Sequence, residues 1–153
     1  MKWKKIFPSA EEVIMTIMTK VDCHFFMPMN PPTITQQEHG VKAVNGRIVF
    51  YDTPELLAAR QKLTDHLVLH KPAEKLIGPL ELVVTWCFPT NHPTRAGTYR
   101  TSPPDTDNLD KMLKDCMTRV GYWEDDAQVC REIIEKFWTV PQQSGIYIRI
   151  KQL

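Results

Sequence analysis

Three aspartates, Asp105, Asp107 and Asp110, stand within the stretch SPPDTDNLDKMLKDC, and two more, Asp125 and Asp126, follow after Gly121-Tyr122-Trp123-Glu124. Carboxylates at this density suit one of three jobs. The first is to cap a helix, worth about 1 kcal/mol, but a cap uses only one of them. The second is to bind calcium, and Asp105-Thr106-Asp107-Asn108 matches the opening of an EF-hand loop. That match fails further on: the fifth position is Leu109, the sixth is Asp110 where glycine is required, and the twelfth is Cys116 where glutamate is required. The third is to hold a catalytic Mg²⁺, which prefers hard oxygens, keeps several waters and takes one or two carboxylates plus a substrate phosphate. Asp105 and Asp107 can face a common point, and Asp126 can join them if the chain folds back. The intervening helix, about 14 residues, is about 20 Å long, so that return is a real demand on the fold.

The elements that must position these residues are legible in outline. Leu109, Met112, Leu113, Cys116, Met117 and Val120 form one helical stripe that Gly121 ends, with Asp107, Lys111 and Lys114 on the opposite side. Upstream, CHFFMPMNPP reads as a strand stopped by Pro31 and Pro32. Asn45-Gly46 sits between two apolar-rich runs and signals a hairpin. Thr53-Pro54-Glu55 opens a helix to about Leu69, carrying Leu56, Leu63 and Leu67 inward. LELVVTWCF at 80–88 is a strand, residues 89–104 are a long loop of the functional kind, and two strands follow the acidic block. The order β, hairpin, α, β, α, β, β predicts an α+β domain: a small mixed β-sheet packed with two main helices. Ser9-Ala10-Glu11-Glu12 is a capping box ahead of Val13, Ile14, Ile17, Met18 and Val21. Residues 1–22 therefore read as an amphipathic extension, flexible or dispensable given later starts at Met15, Met18 and Met27, and residues 23–153 as the folded domain.

Composition agrees with one globular domain: 153 residues, 42 % of them hydrophobic and 24 % charged. The net charge of +1 hides an asymmetry, because residues 105–126 hold seven acids and three bases, a local −4 that leaves +5 elsewhere. The cysteines, Cys23, Cys87, Cys116 and Cys130, form no C-x-x-C pair and read as reduced core thiols of a cytoplasmic protein. No run approaches the roughly 20 apolar residues of a membrane span.

The block DTDNLDKMLKDCMTRVGYWEDDAQV resembles the signature of the RusA family of Holliday-junction resolvases of phage and prophage: D-x-D-N-L-x-K, a helix ending in G-[FYW]-W, then D-D-x-Q-V. FFMPMNPPT is similar to the family's opening strand and double proline. The resemblance covers roughly residues 24–151. It implies a RusA-like, Mg²⁺-dependent homodimer, with Mn²⁺ as a substitute, that binds a four-way DNA junction and makes paired symmetric nicks. It places the catalytic and metal-holding carboxylates on Asp105, Asp107 and Asp126 and the essential lysine on Lys111. It also implies a bacterial or phage-infected cytoplasm. Many relatives carry arginines before the first aspartate, where this chain has Pro104; Arg95 and Arg100, with His92, are the substitutes for phosphate contact, beside Lys111 and Lys114.

Other chemistry is weaker. His66 and His70 are i,i+4 on a helix but lack H-E-x-x-H and a third ligand, so a surface or packing role is expected. Trp123 suits packing at the helix end better than stacking on a base. Two alternatives to the resolvase stay open: a Mg²⁺-dependent nucleotide hydrolase, which needs a closed pocket, and an inactive junction-binding protein in which the acids only cap and solvate.

Overall fold

The computed structural model describes residues 9–12, 22–35 and 37–153. The capping box is formed, with Ser9 N–H to Glu12 Oε2 at 2.6 Å and Glu12 N–H to Ser9 Oγ at 3.2 Å. The apolar run 13–21 lies outside the described residues. Six strands and two helices follow: β1 Asp22–Pro28, β2 Gly40–Val44, β3 Arg47–Tyr51, α1 Pro54–His70, β4 Leu80–Pro89, α2 Thr106–Val120, β5 Val129–Thr139 and β6 Gly145–Gln152. The α+β order read from the sequence holds.

Local chemistry sets the boundaries. Asn45 (φ 49°) and Gly46 (φ 73°) make the two-residue turn between β2 and β3 with both φ values positive, which asparagine and glycine tolerate. Thr53 caps α1, its Oγ1 accepting from Leu56 N–H at 3.2 Å, and Pro54 fills the first turn. Gly121, at φ 96°, ends α2: its N–H reaches the Thr118 carbonyl and the Tyr122 N–H reaches that of Met117, both at 3.1 Å.

The main sheet has the order β1-β6-β4-β5, antiparallel except for β4 and β5, which run parallel. A parallel neighbour requires a crossover, and α2 is that crossover. One face of the sheet, including Leu82, Val84, Trp86, Ile146 and Ile148, packs under both helices in a single core with Leu63, Leu67, Leu109 and Leu113. His70 is exposed and stacks on Phe25, centroids 4.5 Å apart, which fits the surface or packing role expected of it. Trp123 is fully buried and donates to Thr118 Oγ1 at 2.7 Å. The cysteines are free: Cys116 is buried in the core and Cys23 packs against it, but Cys87 is only half-buried and Cys130, on the edge strand β5, is exposed. No described helix is long and apolar enough to cross a membrane.

Candidate active site

The loop between β4 and α2 lies along the free edge of β5. Gly97 N–H donates to Trp138 O at 2.8 Å, Trp138 N–H to Thr98 O at 2.9 Å, and Arg100 N–H to Lys136 O at 2.9 Å. The Arg100 guanidinium lies over Phe88 and Trp138, 4.1 and 4.6 Å from the ring centroids, and bonds Ser102 Oγ and the Pro103 carbonyl. Lys136 Nζ donates to the carbonyls of Ser102 (3.1 Å) and Pro104 (2.7 Å). Two cations thus clamp the segment that delivers Asp105. Arg100, expected at the DNA, is committed to the fold; Arg95 and His92 remain exposed on the same loop.

Asp105 occupies the N-cap of α2 with extended backbone, yet its side chain makes no capping hydrogen bond. Only its main-chain carbonyl joins the helix, accepting from Leu109 N–H at 3.1 Å. Its carboxylate and that of Asp107, one residue into the helix, are both exposed. Asp105 lines an open hollow of about 250 Å³ with Thr33, Thr35, Glu38, Pro104 and Asn108. Lys111 lines an adjoining one with Gln37, His39 and Asn108; its ammonium is 3.9 Å from Asp115, one turn on, and not on Asp107.

The opposite end of α2 is built differently. Asp125 Oδ1 accepts from Ala127 N–H at 2.8 Å, while Gln128 Oε1 accepts from the N–H groups of Asp125 (3.2 Å) and Glu124 (3.0 Å). This capping box starts the short 3₁₀ turn Asp126–Gln128, and Gln128 Nε2 ties it to the carbonyls of Leu76 and Gly78. Asp125 is a cap, a role the sequence reading did not assign, and its capping leaves Asp126 as the half-buried acid beside Asp115, Thr118 and Arg119.

Between the two ends lies a residue the sequence reading passed over. Asp110 is 1 % exposed, wedged between α2 and β5, with neither carboxylate oxygen in a hydrogen bond. Lys114 Nζ is 3.7 Å away and is itself bound to Glu132 on β5. Burial first, and the neighbouring Glu132 second, push the Asp110 carboxyl up to about 7. Lys114, expected at the DNA, is instead engaged by carboxylates: against the pull of burial, Glu132, Asp110 and Asp126 hold its pKa above the usual lysine value. The one legible hint was the i,i+4 spacing of Asp110 and Lys114.

Asp105 and Asp107 lie two residues apart at the start of α2, both exposed; Asp126 does not join them in a metal-holding group within one chain. It lies beside residues eight to twelve positions further along α2, about 12–18 Å along the helix axis from Asp107. Among the described residues, no three His, Cys, Asp or Glu side chains are grouped so as to hold a metal ion. The uncommitted N-cap carboxylate of Asp105 is nonetheless what a hard divalent cation requires, and with Asp107 it supplies the two carboxylates such a cation commonly takes. The residues fit a cation that completes its shell from water, substrate and a further group.

Comparison with known proteins gives the family of the chain. The profile of the family Endodeoxyribonuclease RusA matches residues 28–151, which include the hairpin, both helices, β4, β5 and β6 up to Lys151, and of β1 only Pro28. The crossover junction endodeoxyribonuclease rusA of Lactococcus phage r1t is 38 % identical over 97 residues, 62 % of this chain and 72 % of that protein. With most of the chain matched and the acid helix at its centre, this protein belongs to the RusA endodeoxyribonuclease family.

Proposed function

We propose that the chain is a homodimeric, structure-selective endodeoxyribonuclease that resolves four-way DNA junctions by paired nicks, its catalytic unit being residues 23–153 and its workplace the cytoplasm of a bacterial or phage-infected cell. The observation that carries the reading is the contrast along α2: Asp105 and Asp107 open and uncommitted at one end, Asp126 among Asp115, Thr118 and Arg119 at the other. A two-fold axis across the exposed side of this helix sets the first end of one copy against the far end of the other. Two such sites then form, each with Asp105 and Asp107 from one copy and Asp126 from its partner. A four-way junction has the same two-fold symmetry, so two sites address two strands.

Asp105, Asp107 and Asp126 would hold Mg²⁺ or, in its place, Mn²⁺, which supplies a polarised phosphoryl oxygen and a water acidic enough to attack at neutral pH. The remaining work falls to side chains of the protein. The clamp by Arg100 and Lys136 fixes the approach to α2, so both carboxylates are positioned before DNA arrives. The exposed Lys111 is placed to offset charge on the scissile phosphate and the departing oxygen. Arg95 and His92 on the adjoining loop offer backbone contacts that position DNA without reading sequence. Asp105 and Lys111 line adjoining open hollows that suit a polymer better than a free nucleotide. The test is cleavage of a labelled four-way junction with Mg²⁺, beside a linear duplex of the same arms and the Asp107→Asn variant. Symmetric nicks by the wild type on the junction alone are expected; a wild type that leaves the junction intact would overturn the reading.

A further inference from the structure

The hollow at the far end of α2, about 370 Å³, is lined by four carboxylates, Asp115, Glu124, Asp125 and Asp126, and by one cation, Arg119. Three of the carboxylates are engaged elsewhere. Glu124 binds Lys75 Nζ at 2.5 Å, Asp125 accepts from Ala127 N–H at 2.8 Å, and Asp115 lies 3.9 Å from Lys111. Steps of four along α2 alternate in charge, through Asp107, Lys111, Asp115 and Arg119. Asp115 could pair with the cation on either side of it, and its close neighbour is Lys111, which leaves the last cation of the row unmatched. Arg119 is exposed, and among the described residues its guanidinium has no ion pair and no hydrogen bond, although four carboxylates line the same hollow.

We propose that Arg119 is a further catalytic residue, its guanidinium gripping the scissile phosphate in the Asp126 half of the site. The inference rests on the resolvase reading above and gives a substrate contact to an end of α2 that otherwise offers only a carboxylate. Asp115 and Glu124 each face a lysine, but Asp125 keeps its charge when it caps, so a phosphate that comes to Asp126 meets two uncompensated carboxylates. Arg119 is the cation lining the hollow that is free to offset them. A guanidinium suits the task, because its planar fork donates two parallel hydrogen bonds to two phosphate oxygens and stays charged at any working pH. Lys111 cannot take this place in the same chain, standing eight residues back along α2, about 12 Å along the axis. A cation in the last turn also meets the negative end of the helix dipole, a task that needs neither a fork nor contact with DNA. The two roles differ in what they do to salt-dependent binding.

The test compares the full chain with Arg119→Gln, Arg119→Lys and Arg131→Gln, first in nicking of a labelled four-way junction with Mg²⁺. Junction affinity is then measured over a range of monovalent salt with Ca²⁺ in place of Mg²⁺. Arg131, tied to Glu81 at 2.9 Å, is the control for loss of an exposed arginine. Arg119→Gln is expected to keep the wild-type circular dichroism, to lower the single-turnover rate about 10²-fold, and to flatten the slope of log affinity against log salt by about one per chain. Arg119→Lys should restore the slope but only part of the rate, since it keeps the charge and loses the fork. Arg131→Gln should match the wild type in both. A wild-type slope in Arg119→Gln, whatever its rate, would assign the residue to the helix end and overturn the contact while leaving the resolvase reading in place. A wild type that never nicks the junction would overturn that reading and the catalytic role of Arg119 with it.

Discussion

The two main helices begin in the same way and use it differently. Thr53 and Asp105 both stand at an N-cap with extended backbone, and both follow a segment held in place by its own contacts. Thr53 gives its side-chain oxygen to Leu56 N–H; Asp105, a residue type at least as good at capping, gives its carboxylate to nothing in the helix. A capping residue that does not cap keeps its oxygens for something outside the helix. On the function proposed above, the start of α2 serves chemistry and the start of α1 serves structure.

The contrast is broken most severely at the acids. Asp105→Asn or Asp107→Asn should lower junction cleavage by about 10³-fold or more while leaving the melting temperature close to wild type, measured as single-turnover rate beside thermal unfolding. Unfolding of either variant near room temperature would return that carboxylate to a structural role. Lys111→Met should cost about 10²-fold in rate with junction affinity little changed, and Lys111→Arg should recover part of it.

Next in size comes Asp110, which separates stability from chemistry by pH. Its folded pKa, about 7, lies above that of an unfolded aspartate, so between roughly pH 4 and 7 the native state binds more protons than the unfolded one. Wild-type stability should therefore fall across that window as pH rises. Asp110→Asn should flatten the fall, the two proteins diverging by roughly 2–4 kcal/mol in denaturant unfolding. Parallel pH profiles would contradict the buried-carboxyl account. The smallest effect belongs to the other helix: Thr53→Ala should cost about 1 kcal/mol in stability and leave the single-turnover rate unchanged.

Much of the fold was legible because its signals are local. Asn45-Gly46 can make the turn it makes because both residues accept positive φ, and Gly121 closes α2 for the same reason. The capping box of Asp125 and Gln128 is equally local, written as D-x-x-Q, though the same paired acids also suit a metal. The rest was hidden because it is long-range. That β5 pairs in parallel with β4, and that β6 lies between β1 and β4, depends on partners far apart in sequence. Arg100 reads as a free cation until Trp138 is brought beneath it, and Lys114 until Glu132 is. The site itself was half legible: spacing pairs Asp105 with Asp107, but no spacing rule says that α2 would hold Asp126 away from them within one chain.

The central claim is that each site draws on two chains, and mixed dimers test it most directly. Asp107→Asn and Asp126→Asn chains, co-expressed under different affinity tags, can be purified as the heterodimer and assayed on a labelled junction beside each homodimer. If sites are shared, both homodimers are dead and the heterodimer has one doubly altered and one intact site. It should then nick one strand at roughly half the wild-type rate per dimer, without the paired second nick. A heterodimer as inactive as either homodimer would show that each site is built within a single chain.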